Sequence, residues 1–313
     1  MQPDSQSPAI SITGLTKSYG RTAALTGVNL EVRRGEIFGF LGPNGAGKTT
    51  TIRCLLDLIR PSAGTIRVLG LDPQADSLMV RAKTGYLPGD LRLDGQSTVE
   101  TVLRDLNALR ASRASPARIT QLARRLDLDL KTRVNNLSKG NKQKVGVVQA
   151  LMHAPDLLLL DEPTSGLDPL IQQVVMALLA EAQAAGATVF FSSHVLSEVQ
   201  AAASRVAIIR QGRVVEVADT AELASRALRR AQVRFRQPID PSGLAGVPGL
   251  TILNNDGNIS FSLQSAGEMD GLIKALAQWP VADFETERPS LEEAFMAHYA
   301  GDTASTSAQP KAV

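Results

Sequence analysis

The chain has 313 residues and a formal net charge of +2, long enough for more than one domain and without the basic excess that a nucleic-acid binder shows in its totals. A single cysteine, Cys54, excludes an internal disulfide framework, fits a reducing compartment and reads as a small buried apolar residue. No apolar run approaches the ~18 residues of a membrane span, and Met1 to Pro8 lacks a signal-peptide core, so the chain reads as soluble and cytoplasmic, reaching any membrane through a partner.

Ala9 to Leu15 alternates apolar residues and predicts a strand, and Leu25 to Val32 predicts another, ending at Arg33-Arg34-Gly35. Glu36 to Leu41 reads as a buried strand, followed by a glycine-rich loop and a helix over Thr49 to Ile59, with Ile52, Leu55, Leu56 and Ile59 on one face. A short strand over Thr65 to Leu69, a short helix over Ser77 to Arg81 and a strand beginning at Thr84 come next; the strand runs into the loop Pro88-Gly89-Asp90. Ser97 and Glu100 form a capping-box pattern before an apolar face of Val99, Val102, Leu103 and Leu106. Ser115-Pro116 starts a second helix by the N-cap and N1-proline rule, and no strand candidate interrupts Thr98 to Leu130, which predicts an all-helical insert.

A helix follows Leu137-Ser138-Lys139-Gly140 and runs to about His153. Leu157 to Leu160 is a continuous apolar run of the kind that marks a strand buried on both faces of a parallel sheet, and it ends in Asp161-Glu162. Ile171 to Ala185 is a helix stopped by Gly186; Thr188 to His194 is a buried strand with polar residues at its end; Leu196 to Ala203 is a helix; Val206 to Ile209 and Val214 to Val217 are strands about the turn Gln211-Gly212-Arg213. The composition shifts after Arg230 to a small α+β unit: a strand through Val233 and Phe235, a hairpin over Leu250 to Leu263 about Asp256-Gly257, a helix over Glu268 to Trp279, a strand over Val281 to Glu285, and a final helix capped by Ser290 with Glu293. Trp279 reads as core of this unit, and Arg226, Arg229, Arg230, Arg234 and Arg236 as a solvated linker face, with contact to anionic lipid near a membrane partner as the alternative.

Gly42-Pro43-Asn44-Gly45-Ala46-Gly47-Lys48-Thr49-Thr50 fits G-x-x-x-x-G-K-[ST], and it stands between a predicted strand and a predicted helix as that phosphate-binding motif requires. The glycines let successive N–H groups turn toward phosphate oxygens, and the helix N-terminus adds its positive dipole end. Lys48 is expected to reach the β- and γ-phosphates, and the Thr49 hydroxyl to ligand Mg²⁺. Asp161 and Glu162 end a buried strand, where ligands of such sheets bind; Asp161 is placed to hold the metal, Glu162 to polarise an attacking water, and His194, ending another strand, to contact the γ-phosphate.

With these motifs in place, the chain resembles the nucleotide-binding subunit of an ABC transporter. Leu137-Ser138-Lys139-Gly140-Asn141-Lys142-Gln143 resembles that family's signature, with Lys139 in place of the usual first glycine, and the order of phosphate loop, signature, Leu157–Glu162, Ser165-Gly166-Leu167-Asp168 and His194 matches over about Ile10 to Asp219. The resemblance implies an α/β fold: a P-loop NTPase cassette with a RecA-like parallel-sheet core, an antiparallel β subdomain and an α-helical subdomain, joined to a small C-terminal α+β domain. The implied boundaries are a disordered 1–8, a cassette over 9–225 with its helical subdomain at about 92–150, an accessory domain over 226–300 and a disordered 301–313. It further implies that Tyr19 stacks on adenine, and that Ser138, Gly140, Gln143 and Asp168 serve ATP in a head-to-tail homodimer holding two Mg-ATP, with Glu162, His194 and Lys48 catalytic and Thr49 and Asp161 on the metal. Such a dimer drives a separate integral membrane permease from the cytoplasmic face. The family's Q-loop glutamine falls here at Gly89, and Gly85-Tyr86-Leu87-Pro88 with Pro289 to Phe295 resembles the exporter branch that includes antibiotic-resistance pumps. Importer ATPases, and soluble ABC ATPases acting on ribosomes or DNA, are the alternatives; the single cassette, the absence of a heptad run and the modest charge weigh against the latter, and no nucleic-acid partner is expected.

Overall fold

The computed structural model describes residues 7–110, 113–226, 229–265 and 269–287. Residues 1–6 and 288–313, with the expected disordered ends and the helix capped by Ser290, lie outside the described residues. The chain divides into two compact units, residues 1–220 and 221–313.

In the first unit β1 (Ile10–Tyr19) and β2 (Thr22–Val32) form an antiparallel hairpin. The unit continues through β3 (Ile37–Leu41), α1 (Lys48–Leu55), β4 (Ala63–Val68), α2 (Ser77–Lys83), β5 (Thr84–Leu87), α3 (Val99–Leu109), α4 (Pro116–Arg125), α5 (Lys139–Leu151), β6 (Leu157–Asp161), α6 (Pro169–Ala184), β7 (Thr188–Ser193), α7 (Leu196–Ala202), β8 (Arg205–Arg210) and β9 (Arg213–Asp219). Three strands make a small antiparallel sheet in the order β2-β1-β4; six make the main sheet in the order β5-β6-β7-β3-β8-β9, parallel except at β9. Every residue of β3, β6 and β7 is buried, in keeping with their largely apolar sequences, β7 adding the buried hydroxyls of Thr188, Ser192 and Ser193, whereas the antiparallel edge strand β9 alternates. Phe190 stacks on Phe38 at 6.0 Å and tilts against Phe40 at 5.3 Å, and such ring pairs add about 1 kcal/mol each beyond area burial.

Two boundaries differ from the sequence reading. The helix expected to reach Ile59 ends at Leu55, because Asp57 adopts a left-handed φ of 50° and both Leu58 and Ile59 donate back to the Arg53 carbonyl. The cap of α3 is Thr98, which accepts from the Thr101 N–H, while Ser97 donates to Asp94 and the Glu100 N–H is taken by the Leu130 carbonyl. A bridge between Thr98 and Arg133 selects that register. Ser115 caps α4 as expected, accepting from the Arg118 N–H. At the end of α3, Arg110 Nη1 donates to the carbonyls of Arg81 (3.2 Å) and Thr84 (3.3 Å) and lies 3.1 Å from His153 Nε2. Burial, then the Arg110 charge, pushes His153 down to about 4, so the ring accepts as a neutral imidazole. Burial likewise pushes the Cys54 thiol up to about 11, which leaves it protonated and inert.

After α8 (Thr220–Arg226) the second unit contains β10 (Arg229–Phe235), α9 (Ser242–Ala245), β11 (Leu250–Asp256), β12 (Ser260–Ser265), α10 (Asp270–Leu276) and β13 (Val281–Glu287), with the antiparallel order β11-β12-β10-β13. Its core gathers Val233, Phe235, Phe261, Leu263 and Leu272, and Trp279 packs edge-on to Phe235 at 6.0 Å, in the core role expected of it. The hairpin turn lies one residue beyond the expected Asp256-Gly257 pair: Gly257 and Asn258 carry φ of 58° and 57°, and the Ile259 N–H closes on the Asp256 carbonyl. Arg230 and Arg234 sit on a strand, not a linker, and Arg234 stands in register with Asp283 across the ladder. The side chains of Arg226 and Arg229 lie outside the described residues.

Candidate functional site

β6, β7 and β3 are neighbours in the main sheet, and their carboxyl ends bring together the acidic pair, His194 and the glycine loop. The loop leaves β3 at Gly42, whose N–H donates to the Ser193 carbonyl, and enters α1 through Gly47. Gly47 has a φ of 111°, a conformation open to glycine, and offers no side-chain cap. No side chain therefore caps the first-turn N–H groups of α1, an arrangement that suits an anion. Pro43, Asn44 and Gly45 form the exposed rim, Ala46 is buried beneath it, and Thr50 lies half-buried on the first turn.

Lys48 is buried and crosses the loop: its Nζ donates to the carbonyls of Gly42 (2.6 Å) and Pro43 (3.3 Å) and lies 3.4 Å from Glu162 Oε1. His194 Nδ1 lies 3.1 Å from the same oxygen. With the proton on Nδ1, a neutral His194 donates to Glu162 and keeps Nε2 as its acceptor. Next to this group, Thr49 Oγ1 donates to Asp161 Oδ2 at 2.6 Å, and Ser192 Oγ donates to Asp161 Oδ1 at 2.6 Å. Asp161 is 2 % exposed, a burial that a carboxylate tolerates only when its oxygens are bonded. Thr49 and Asp161 are hard oxygen donors side by side, the donor set that suits Mg²⁺ held by one or two protein oxygens with phosphates and water completing the shell. Among the described residues no group of three or more His, Cys, Asp or Glu side chains forms an all-protein metal cage.

Glu162 is held in an unusual backbone state. Its φ is 51°, in the left-handed region, which costs about 1 kcal/mol or more for a residue with a side chain. Its N–H donates to Ser192, to the carbonyl at 3.2 Å and to Oγ at 3.1 Å, and its own carbonyl accepts from Gln143 Nε2 at 2.9 Å. These bonds fix the turn that sends the carboxylate toward Lys48 and His194. Gln143 is thus buried and supports Glu162 within its own chain. Ser192 was not singled out in the sequence; a Ser192-Ser193 pair ending an apolar strand just before His194 was the available signal.

The remaining residues stand apart from this cluster in their bonding. Ser138 caps α5 by accepting from the Asn141 N–H, and Asp168 caps α6 by accepting from the Ile171 N–H; both are exposed. Gly140 packs so closely on the Gly166 carbonyl that a Cβ would stand 2.6 Å from it. Tyr19, at the end of β1, is 48 % exposed with the Lys17 ammonium 5.2 Å from its ring centre. Gly89, exposed in the loop after β5, approaches the acidic pair directly: a Cβ there would stand 3.0 Å from Asp161 Oδ2.

Residues 25–165 match the family model described as ABC transporter. The daunorubicin resistance ATP-binding protein DrrA3 of Streptomyces coeruleorubidus is 34 % identical over 307 residues, covering 94 % of this chain and 96 % of that protein, so the likeness extends through the second unit. The Nod factor export ATP-binding protein I of Paraburkholderia xenovorans is 36 % identical over 223 residues, 69 % of this chain and 73 % of that protein. Among solved structures, the dimeric post-hydrolysis state of the ATP-binding cassette MJ0796 bound to ADP and Pi superposes with a TM-score of 0.61 at 24 % identity, covering 67 % of this chain and 98 % of that one. This last likeness bears on the fold alone.

Proposed function

The chain belongs to the ABC transporter ATP-binding family, and on that premise we propose that it is the ATPase subunit of an exporter, working as a homodimer on a separate membrane permease at the cytoplasmic face of the membrane. The family hydrolyses ATP to drive transport. The observation that carries the site reading is the Glu162 carboxylate, set between Lys48 at 3.4 Å and His194 at 3.1 Å and beside the Thr49–Asp161 pair. In this reading the N–H groups of Gly45, Gly47, Lys48, Thr49 and Thr50 cradle the phosphates, Lys48 turns its ammonium from Glu162 to the β- and γ-oxygens, and Tyr19 offers its exposed ring to adenine.

Glu162 orients a water against the γ-phosphorus. The water oxygen bonds to phosphorus as the bond to the ADP oxygen breaks, and the water proton passes to the carboxylate. His194, hydrogen-bonded to Glu162, steadies it and faces the departing phosphate. Thr49 and Asp161 hold Mg²⁺, which neutralises charge on the phosphates when bound. The exposed Ser138 and Asp168 at helix starts, with Gly140 behind Ser138, fit the part of a face that a second copy presents to the first copy's ATP. The likeness to the daunorubicin resistance relative runs through the C-terminal unit as well, which supports export of a drug or antibiotic; a lipid or polysaccharide is the other cargo class of this reading. Among the described residues no helix is long and apolar enough to cross a membrane, so the translocation path belongs to another subunit in this reading.

Isolation of the chain from membranes in mild detergent tests the proposal: a membrane-spanning permease is expected to co-purify with ATP turnover, and ribosomal or nucleic-acid material in its place would overturn it. Gly89 allows a sharper test of the metal site. Gly89→Ala places a methyl 3.0 Å from Asp161 Oδ2 and is expected to weaken divalent-cation binding by about tenfold, as second-shell changes do. Metal-free nucleotide binding should hold. Mn²⁺ titration followed by electron paramagnetic resonance checks it, and unchanged Mn²⁺ affinity would count against the Thr49–Asp161 assignment.

A further inference from the structure

Glu198, on α7, takes no part in the chemistry proposed above, yet it touches both chain segments that carry that chemistry. Its Oε1 accepts from Thr164 Oγ1 at 2.7 Å, and its Oε2 accepts from Ser193 Oγ at 2.7 Å. Thr164 and Ser193 are each 2 % exposed. Thr164 lies two residues after Glu162, and Ser193 immediately precedes His194. Ser193 Oγ also accepts from the Val195 N–H at 2.9 Å, which closes the backbone around His194. One carboxylate therefore clamps the segment on the far side of Glu162 to the turn that presents His194.

The clamp has a rigid base. α7 is pressed onto the central strand β3: a Cβ at Gly39 would stand 2.4 Å from Val199, and Leu196 and Val199 are buried. Glu198, adjacent to Val199, is thus fixed relative to the strand that leads into the phosphate loop. On the near side Glu162 is tied to Ser192 and Gln143, as described above. Glu198 supplies the tie on the other side, and the 3.1 Å contact between His194 Nδ1 and Glu162 Oε1 spans the two segments so held.

We propose that Glu198 is a positioning residue for ATP hydrolysis: by bonding Thr164 and Ser193 at once it holds His194 and Glu162 in register. The inference rests on the roles assigned above to Glu162 and His194. Glu198→Ala removes both arms of the clamp and is expected to lower kcat by about tenfold or more, with the Kd for ATP changed less than about twofold, the signature of an interaction needed in the transition state and not in binding. Glu198→Gln keeps the shape: its amide oxygen accepts from one hydroxyl and its NH₂ donates to the other, so kcat should return to within about threefold of wild type. Residues that act as a unit are non-additive, so in a His194→Ala background the further loss on adding Glu198→Ala should shrink to less than about threefold.

Unchanged kcat in Glu198→Ala, a parallel rise in Kd, or an undiminished effect in the His194→Ala background would each overturn the proposal. If Glu198→Ala does not fold, Thr164→Val removes one arm with little change of shape and is read by the same split of kcat against Kd. The roles assigned to Glu162 and His194 fail separately, through a His194→Ala variant as fast as wild type.

Discussion

Glu162→Gln is expected to bind ATP as tightly as the wild type, to hydrolyse it about 10²–10⁴-fold more slowly, and to accumulate as a dimer in its presence. A loss of that size corresponds to about 3–5 kcal/mol of transition-state stabilisation. The substitution is nearly isosteric, so the left-handed backbone at position 162 and its bonds to Ser192 and Gln143 are unchanged. What disappears is the negative charge 3.4 Å from Lys48 and 3.1 Å from His194, and with it the acceptor for a proton. Removing that charge leaves the Lys48 ammonium freer to turn to phosphate, so affinity should not fall. If hydrolysis is what releases two chains closed over ATP, a variant that cannot hydrolyse stays closed. Single-turnover cleavage of labelled ATP and size-exclusion chromatography with nucleotide read the two effects. Wild-type turnover would remove Glu162 as the base, and a monomer in ATP would remove the shared site.

The parts of this site that could be read from the sequence are those fixed by local rules. The phosphate loop declares itself through spacing, and the central strands through apolar runs such as Leu157 to Leu160, all buried as expected. The supports of Glu162 were not legible. Ser192 and Gln143 reach it only because β6 and β7 are neighbours and the first turns of α5 come up against the end of β6, and strand order is a long-range property that no window of sequence carries. Nor does sequence announce that Glu162 takes a left-handed φ, a state imposed by the strand-end turn and tolerated because its backbone groups are bonded. At the finer scale, consecutive hydroxyls made the capping pattern degenerate: Ser97 and Thr98 both fit, and a bridge to Arg133, remote in sequence, selected Thr98. Gly89 shows the opposite case. Its place in the loop after β5 was readable, but its approach to Asp161 emerged only from the packing.

Lys48→Ala is expected to act on the step that Glu162→Gln leaves intact. The Lys48 ammonium is buried, held by the carbonyls of Gly42 and Pro43 and by Glu162, so it is already delivered to the mouth of the loop and loses little entropy on meeting a phosphate. Hydrogen bonds to charged groups contribute roughly 1.5–3 kcal/mol, so deleting the ammonium should raise the Kd for ATP by about 10–150-fold. Two further consequences follow from the same contacts. The Gly42 carbonyl loses a 2.6 Å donor and Glu162 its nearest cation, so the loop itself should loosen. Lys48→Arg should not restore affinity, because a forked guanidinium does not fit the place of a compact ammonium between two carbonyls. Calorimetric titration with ATP measures the change, and an unaltered Kd in Lys48→Ala would count against the assignment of this loop as the phosphate site. The two variants together separate binding from chemistry. If Lys48→Ala loses affinity while Glu162→Gln keeps it and loses turnover, the two partners of the 3.4 Å pair act on different steps, and their contact is one that nucleotide must break before hydrolysis begins.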